Sequence, residues 1–332
     1  MHRLRELLRY LVIGVATLVV LLTLASLIHD VSYWYTKVLD FPRTQYLIVA
    51  VACLLLFGLL NRRWDTPAWA LTLGLVATIG IQSFDVLPYL IGPKRVPDAR
   101  PAEVREENTV SLLLANVLIS NRQSDAFLKI VRDRDPDLLL VMENDRWWAD
   151  RLSPLDDRYP FAMEYPAGNG YGMSLYSKLP LSEGQTLFFN QDSVPSFHVR
   201  VTLPDGRPFR LHAMHPVAPV PSDRFPDNKG EKEVAFEQLA DLLAQDSLPV
   251  VVAGDFNDVS WSHTSRLLQD RGRLHNVRLG RGLYNSFDAT SRLLRWPLDH
   301  YFVSDSFAVV KLERLPKFGS DHFPMYARFV VR

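Results

Sequence analysis

The sequence predicts an α/β protein: a four-layer αββα sandwich of two mixed sheets, preceded by an N-terminal bundle of three transmembrane helices. Three observations carry this. Charged residues are spread unevenly along the 332 positions, three long charge-free apolar runs crowd the N-terminal end, and from Thr109 onward short apolar runs alternate with turns and only occasional helical patterns.

The charge-free runs cover 10–28, 44–61 and 66–84, each close to the roughly 20 apolar residues that carry a helix across a hydrocarbon core. Spans are expected over about 10–28, 44–61 and 66–91. The first is too long for a signal-peptide core and is followed by two more, so a retained anchor fits better than a cleaved leader. Tyr33, Trp34, Tyr35, Trp64 and Trp69 fall where spans should meet headgroups. Arg3, Arg5 and Arg9 precede the first span and Arg62 with Arg63 fill the turn between the second and third, which places both at the cytoplasmic side. An odd number of spans then puts everything after Ile91 outside the cytoplasm, in a multi-pass protein of the cell (inner) membrane. Gln82 and Asp85, near the end of the third span, could mark a polar path or a headgroup contact, but Pro88 and Gly92 follow closely, so Asp85 is expected simply to lie at the interface, where an ionisable group costs little.

Residues 93–108 hold three prolines and charges of both signs and read as a linker. That leaves 1–92 as the membrane segment and 109–332 as a soluble domain. Ten basic and six acidic residues precede position 101; taken from totals of 37 and 37, they leave 27 basic and 31 acidic residues from Pro101 onward, a net charge of −4. This balance excludes a basic nucleic-acid-coating protein, and 22% charged with 11% aromatic residues excludes a disordered chain. The one cysteine, Cys53, lies in an apolar run, so neither an intrachain disulfide nor a cysteine-bound zinc or iron–sulfur centre can be built. Any metal must sit on oxygen or histidine ligands.

Within the soluble part, strands are expected over 110–115, 138–142, 172–176, 197–203, 209–214, 250–253, 301–303 and 325–331, and helices over 125–134, 231–244 and 264–269. Asp205-Gly206 sits at the apex of a hairpin and makes the strands on either side antiparallel neighbours. Many antiparallel strands mixed with helices favour two sheets flanked by helices.

Polar residues recur where these strands end, the place where a buried strand delivers a side chain to a site. Asn116 ends the first run, Glu143 the second, and His215 follows the 209–214 run. Gly254-Asp255-Phe256-Asn257 closes the run that starts at Val250, while Asp299 precedes the 301–303 run and Gly319-Ser320-Asp321-His322 precedes the last. Glu143, Asp255 and Asp321 supply hard oxygen ligands, and Asn116 and Asn257 supply carbonyl oxygens and amide donors: a magnesium or manganese donor set. His215 and His322, each with carboxylates nearby in the set, add proton transfer and charge stabilisation. The chain has no Gly-x-Ser-x-Gly elbow, so a serine nucleophile fits poorly. His198, His212, His263, His275 and His300 are expected to be surface or structural, and Arg271, Arg273, Arg278 and Arg281 read as a solvated loop.

In this order, the set resembles the endonuclease/exonuclease/phosphatase superfamily, whose members include pancreatic deoxyribonuclease, abasic-site endonucleases, inositol polyphosphate 5-phosphatases and neutral sphingomyelinases. The resemblance covers roughly 109–332, and its most specific parts are Gly254-Asp255-Phe256-Asn257 and Ser320-Asp321-His322. It implies that Asn116 and Glu143 are the first-strand Asn and the metal-binding Glu, with Asp321 completing the metal side. It implies further that Asp255 and Asn257 position the attacking water and the scissile phosphate, that His322 contacts or protonates the phosphoryl group, that Asp299 orients a catalytic histidine, and that His215 stabilises developing charge. Asn116, Asn257 and His215 are thus the expected substrate contacts. Leu118 stands where some nucleases carry a second acid, which argues for one tightly held metal.

The function expected is a membrane-anchored, Mg2+- or Mn2+-dependent phosphoesterase acting on a phosphate ester or pyrophosphate, with the bilayer and a lipid-linked phosphate as its partners. The alternatives are a metal-dependent nuclease and a binding module that keeps the fold without turnover. A net charge of −4 lacks the basic excess that supplies non-specific DNA affinity, so nucleic acid is less favoured; no protein partner is implied.

Overall fold

The same apolar character gives helices before position 92 and strands after it, because the early runs are long and continuous and the later ones are short and broken by turns. A computed structural model describes residues 2–28, 33–189, 191–222 and 231–332. The chain divides into two compact units, Met1–Gly92 and Pro93–Arg332.

The first unit contains α1 (His2–Ala25), the short α2 (Trp34–Lys37), α3 (Arg43–Leu60) and α4 (Thr66–Leu90). α1, α3 and α4 are long and apolar enough to cross a membrane. They face one another through Val12, Ala16 and Val19, through Ala50, Cys53 and Phe57, and through Ala68 and Leu75. Leu18, Leu21, Leu55, Leu59, Leu73 and Phe84 remain exposed on the outside, the pattern of helices whose outer surface meets hydrocarbon. α1 begins at His2, earlier than the run at 10–28 suggested, and Arg5 and Arg9 use the added turns to reach the Leu59 carbonyl at 3.0 Å and Asn61 Oδ1 at 3.4 Å. Asp65 caps α4 by accepting from the Ala68 N–H.

Gln82 and Asp85 have partners within the helical unit. Both take part in a buried network around Arg43, whose guanidinium lies 2.6 Å from Asp40, 2.8 Å from Asp85 and 3.3 Å from Gln82. Gln82 also donates to Thr23 Oγ1 at 3.0 Å. A buried guanidinium is tolerated only with such partners, and spacing along the chain did not reveal that the first residue of α3 faces the last turns of α4.

The second unit contains, in chain order, β1 (Thr109–Asn116), α5 (Ser124–Arg134), β2 (Leu138–Met142), α6 (Arg146–Leu152), β3 (Phe161–Tyr165), β4 (Met173–Ser177), β5 (Leu181–Leu187), β6 (Ser196–Thr202), β7 (Pro208–Ala213), α7 (Glu231–Leu243), β8 (Val250–Asp255), α8 (His263–Asp270), β9 (His275–Asn276), β10 (Asp299–Val303), β11 (Phe307–Arg314) and β12 (Met325–Val331). One sheet runs β11-β12-β1-β2-β4-β3 and the other β5-β6-β7-β8-β10-β9. Each has one parallel pair, β1 with β2 and β7 with β8, crossed by a helix, and antiparallel neighbours elsewhere.

Alternation along the strands builds four layers. Leu112 and Leu114 of β1 point between the sheets with Leu140, Leu211, Val251 and Met325. Leu113 and Ala115 point outward to Phe127 and Val131 of α5 and Trp148 of α6. On the far side, Val250 and Val252 meet Phe236 and Leu239 of α7 and Leu268 of α8. The helix–sheet–sheet–helix sandwich read from the sequence is the fold observed.

The stretch 93–108 is not a free linker. Val96 is buried in the inter-sheet core, the Ala99 N–H donates to the Val309 carbonyl at 2.8 Å, and the Val309 N–H donates to the Pro97 carbonyl at 2.9 Å. The segment around Asp98 thus pairs with β11, and Pro101 opens a 3-10 turn, Pro101–Glu103, after it.

Candidate active site

Topology explains why the site residues meet. β1, β2, β7 and β8 all run toward the same edge of the sandwich, so Asn116 and Asp255, which end β1 and β8, and Glu143 and His215, which follow β2 and β7, arrive there together. β10 runs antiparallel to β8 with Asp299 opposite Asp255, and β12 runs antiparallel to β1 with Met325 opposite Leu114. The starts of β10 and β12 therefore bring Asp299 and His322 to that same edge.

Asp255 is fully buried at the centre. Its Oδ2 accepts from Asn116 Nδ2 at 3.0 Å and lies 3.5 Å from His322 Nε2 and 3.8 Å from His215 Nε2; its Oδ1 accepts from the Asn257 N–H at 2.9 Å. Asn116 Nδ2 also donates to Glu143 Oε1 at 2.7 Å, so one amide joins two carboxylates. His322 Nδ1 pairs with Asp299 Oδ2 at 2.7 Å. Ser320 completes the frame: its hydroxyl donates to the Asn116 carbonyl at 2.8 Å and accepts from the His322 N–H at 3.0 Å.

The backbone is strained where these groups are aimed. Leu118, Glu143 and Asn257, all just past strand ends, have φ of 58°, 59° and 50°, a left-handed conformation that costs a non-glycine residue about 1 kcal/mol or more. Gly254, at φ 148°, could carry no side chain, since a Cβ there would lie 1.9 Å from the Met214 carbonyl oxygen. That close approach is what lets β8 place Asp255 beside the His215 loop.

Electrostatics separate the two histidines. Burial pushes His215 down to about 4, a neutral imidazole at physiological pH. Burial also pulls on His322, but Asp299, Asp255 and Asp321 outweigh it and hold that ring up to about 10. Burial pushes Glu143 up to about 7, against the pull of Asn116 and His322, and raises Asp321 as well. Buried carboxylates that resist ionisation are the donor chemistry a hard divalent cation relieves, so the residues present fit a magnesium or manganese ion.

The structure brings together Asn116, Glu143, His215, Asp255, Asp299 and His322 as the sequence led us to expect. Ligand atoms of Asp255, Asp299 and His322 also lie within 4.8 Å of one another, beside the expected metal side of Glu143, Asn116 and Asp321. Asn116 turns its oxygen to the Leu118 N–H at 3.0 Å and its amide to the acids, which makes it an organiser of carboxylates. Asn257 commits its amide to the Pro216 carbonyl at 3.0 Å and so pins the loop after His215. Asp321 is half-buried beside the group, its carbonyl taking the Ala289 N–H at 2.7 Å.

Sequence reasoning missed the support behind the site. Arg278, read as solvated, is 1% exposed. It donates to the Asp299 carbonyl and contacts His300 Nδ1 at 3.1 Å, while His300 Nε2 pairs with the Asp258 carbonyl at 2.8 Å. The two residues tie the loop after Asp255 to the start of β10. Ser320 was visible as part of its motif; Ser286, which accepts from the Asp299 N–H at 3.0 Å, had no local signal.

In this four-layer sandwich two parallel strand pairs and the starts of β10 and β12 deliver acids, amides and two histidines to one edge, a polar, cation-suited centre. The chain belongs to the endonuclease/exonuclease/phosphatase family, whose pattern matches residues 113–322. Among solved structures, the human Nocturnin catalytic domain with bound sulfate is similar at 15% identity, covering 70% of this chain and 100% of that one with a TM-score of 0.54. TDP2 of D. rerio complexed with a single-strand DNA product is 16% identical, covering 67% and 98% with a TM-score of 0.52. An endonuclease/exonuclease/phosphatase from Bacteroides vulgatus is 17% identical, covering 68% and 99% with a TM-score of 0.53. At these identities the likeness is one of fold. Comparison with curated proteins finds no match.

Proposed function

We propose that the chain is a divalent-metal-dependent phosphoesterase that hydrolyses a phosphate ester or pyrophosphate, with a lipid-linked substrate. The observation that carries this reading is His322, held by Asp299 at 2.7 Å and presented to Asp255 at 3.5 Å. An imidazole kept charged by one buried acid and aimed beside another serves a substrate that carries negative charge of its own.

His322 binds the phosphoryl oxygens and donates a proton as charge develops. Asp299 fixes the orientation of the ring by accepting from Nδ1, leaving the Nε2–H toward the substrate. Asp255 accepts the proton of the attacking water, and the Asn257 N–H on its Oδ1 aims that carboxylate. Neutral His215 offers a second hydrogen bond to the reacting group. Glu143 and Asp321 would hold the ion, with Asn116 orienting Glu143; when bound, the ion supplies positive charge to the phosphoryl oxygens.

The lipid preference is supported by the three apolar helices on the same chain and by the net charge of −4 after position 100. The distribution of arginines among the connections favours a catalytic domain outside the cytoplasm. A nuclease is the second reading, since a protein of the same fold, TDP2 of D. rerio, is seen with a single-strand DNA product. Glu143→Ala tests the metal assignment. With bis-p-nitrophenyl phosphate at saturating magnesium, turnover should fall to background while the thermal transition is kept, and full activity in that variant would sink the assignment.

A further inference from the structure

Beside the site, residues 288–295 form a loop rooted in the catalytic frame. The Ala289 N–H donates to the Asp321 carbonyl at 2.7 Å, and Phe287, whose ring lies 5.0 Å from that of His322, pairs through its backbone with Trp296. The loop is internally braced. Ser291 Oγ accepts from the Leu293 and Leu294 N–H groups at 3.2 and 2.9 Å, Asp288 accepts from Thr290 at its base, and Arg295 Nε donates to the Ser291 carbonyl at 2.6 Å.

This braced loop holds two leucines out to solvent. Leu293 is 84% exposed and Leu294 53%, against 50% for Val220 and 38% for Phe188, the next large apolar side chains of the second unit among the described residues. Basic groups lie in the loop and at its root. Arg292 is exposed at the tip, and the guanidiniums of Arg295 and Arg314 lie 5.0 and 4.4 Å from the ring of Phe323, the residue after His322. Among the described residues none of these three arginines is in an ion pair. Arg295 helps depress the pKa of Arg314, after burial, so two like charges are held near each other. Apolar side chains at a tip with basic side chains behind them match a bilayer bearing anionic headgroups, where the leucines enter the acyl region and the arginines meet phosphates.

We propose that the 288–295 loop is a membrane-docking element that inserts Leu293 and Leu294 into an anionic phospholipid surface, with Arg292, Arg295 and Arg314 on its headgroups, and so holds the candidate active site against the bilayer. This extends the lipid-phosphate reading, but insertion is measured without turnover, so either can fail alone. The test uses the full chain in nanodiscs, with Cys53→Ala and an environment-sensitive dye on Leu293→Cys. The reference is the same dye on Asp205→Cys, in the β6–β7 turn at the opposite end of the second sheet. In bilayers of mixed phosphatidylglycerol and phosphatidylcholine, lipids with a quencher on the acyl chain should quench the Leu293 label several-fold more than the Asp205 label. That difference should fall at least threefold in pure phosphatidylcholine, or when Arg292, Arg295 and Arg314 are changed together to Glu, and should persist in a His322→Ala chain. Equal quenching of the two labels, or quenching indifferent to anionic lipid, overturns the proposal.

Discussion

Asp299 sets what His322 can do. Its Oδ2 occupies Nδ1 of the ring at 2.7 Å, so the other nitrogen faces Asp255, and its charge is the largest of those that raise the ring's pKa against burial. Asp299→Asn keeps the shape and removes the charge. The sign follows: with less negative charge beside it, His322 gives up its proton at lower pH, so the alkaline limb of the kcat profile should move to lower pH. The rate at the optimum should fall by roughly 10²-fold or more. An unchanged profile with a normal rate would reduce Asp299 to a structural residue. At this scale the sequence was informative about identity and less so about geometry. Polar residues closing apolar runs pointed to Asn116, Glu143 and Asp255, and polar residues opening them to Asp299 and His322, because a strand end is a fixed address. It did not reveal that Asn116 would turn its amide rather than its oxygen to the acids, or that Arg278 would be buried behind Asp299, since both depend on contacts between segments far apart in the chain.

β6 and β7 carry a second histidine pair with a different consequence. His198 and His212 face each other across the two strands with Nδ1 atoms 2.6 Å apart, and His198 Nε2 is 2.8 Å from Ser196 Oγ. Burial pushes both rings down to about 3, with the charges of neighbouring groups adding to it. In the unfolded chain each titrates near 6.5, so between about pH 6.5 and 3 the unfolded state binds more protons than the folded one. Stability supported by this pair is therefore complete above about pH 6.5 and is lost as the pH falls toward 3, by an amount on the order of a few kcal/mol. Thermal unfolding followed from pH 7 to 4 should show a steeper decline for the native chain than for a His198→Phe, His212→Leu double variant; parallel declines would contradict the assignment. Elements were legible in proportion to their burial. Every central strand was foreseen within a residue or two, whereas β3, β5, β9 and β11, which the sequence did not predict, are the four edge strands of the two sheets. Edges are wetted on one side and keep fewer apolar residues: β5 reads Leu-Ser-Glu-Gly-Gln-Thr-Leu and is mostly exposed. β5 and β11 also carry register shifts, between Ser182 and Gln185 and between Val309 and Lys311, which break the period-two signal. α6 was missed because its seven residues give less than two full turns of pattern.

For the molecule as a whole, one sequence joins three helices suited to a bilayer to a domain of the endonuclease/exonuclease/phosphatase family, and the compartment and substrate proposed above rest on that union. If Arg3, Arg5, Arg9, Arg62 and Arg63 stay in the cytoplasm, alkaline phosphatase fused after Arg332 should be active and a cytoplasmic fluorescent protein at the same place dark; the reverse pattern would put the domain inside. An exported domain meets lipid-linked phosphates and scavenged nucleic acid and has little access to cytoplasmic nucleotide pools. Its acidic balance removes the counterion-release affinity that a general nuclease draws on, while a shared bilayer raises the effective concentration of an amphiphilic substrate. The most direct test is a competition assay on the purified full chain in nanodiscs, at physiological salt with magnesium, offering a phosphorylated lipid in the bilayer and plasmid DNA in solution. The account predicts magnesium-dependent release of phosphate from the lipid, lost in Glu143→Ala, with plasmid cleavage slower by at least tenfold. Efficient plasmid cleavage without action on the lipid phosphate would contradict it.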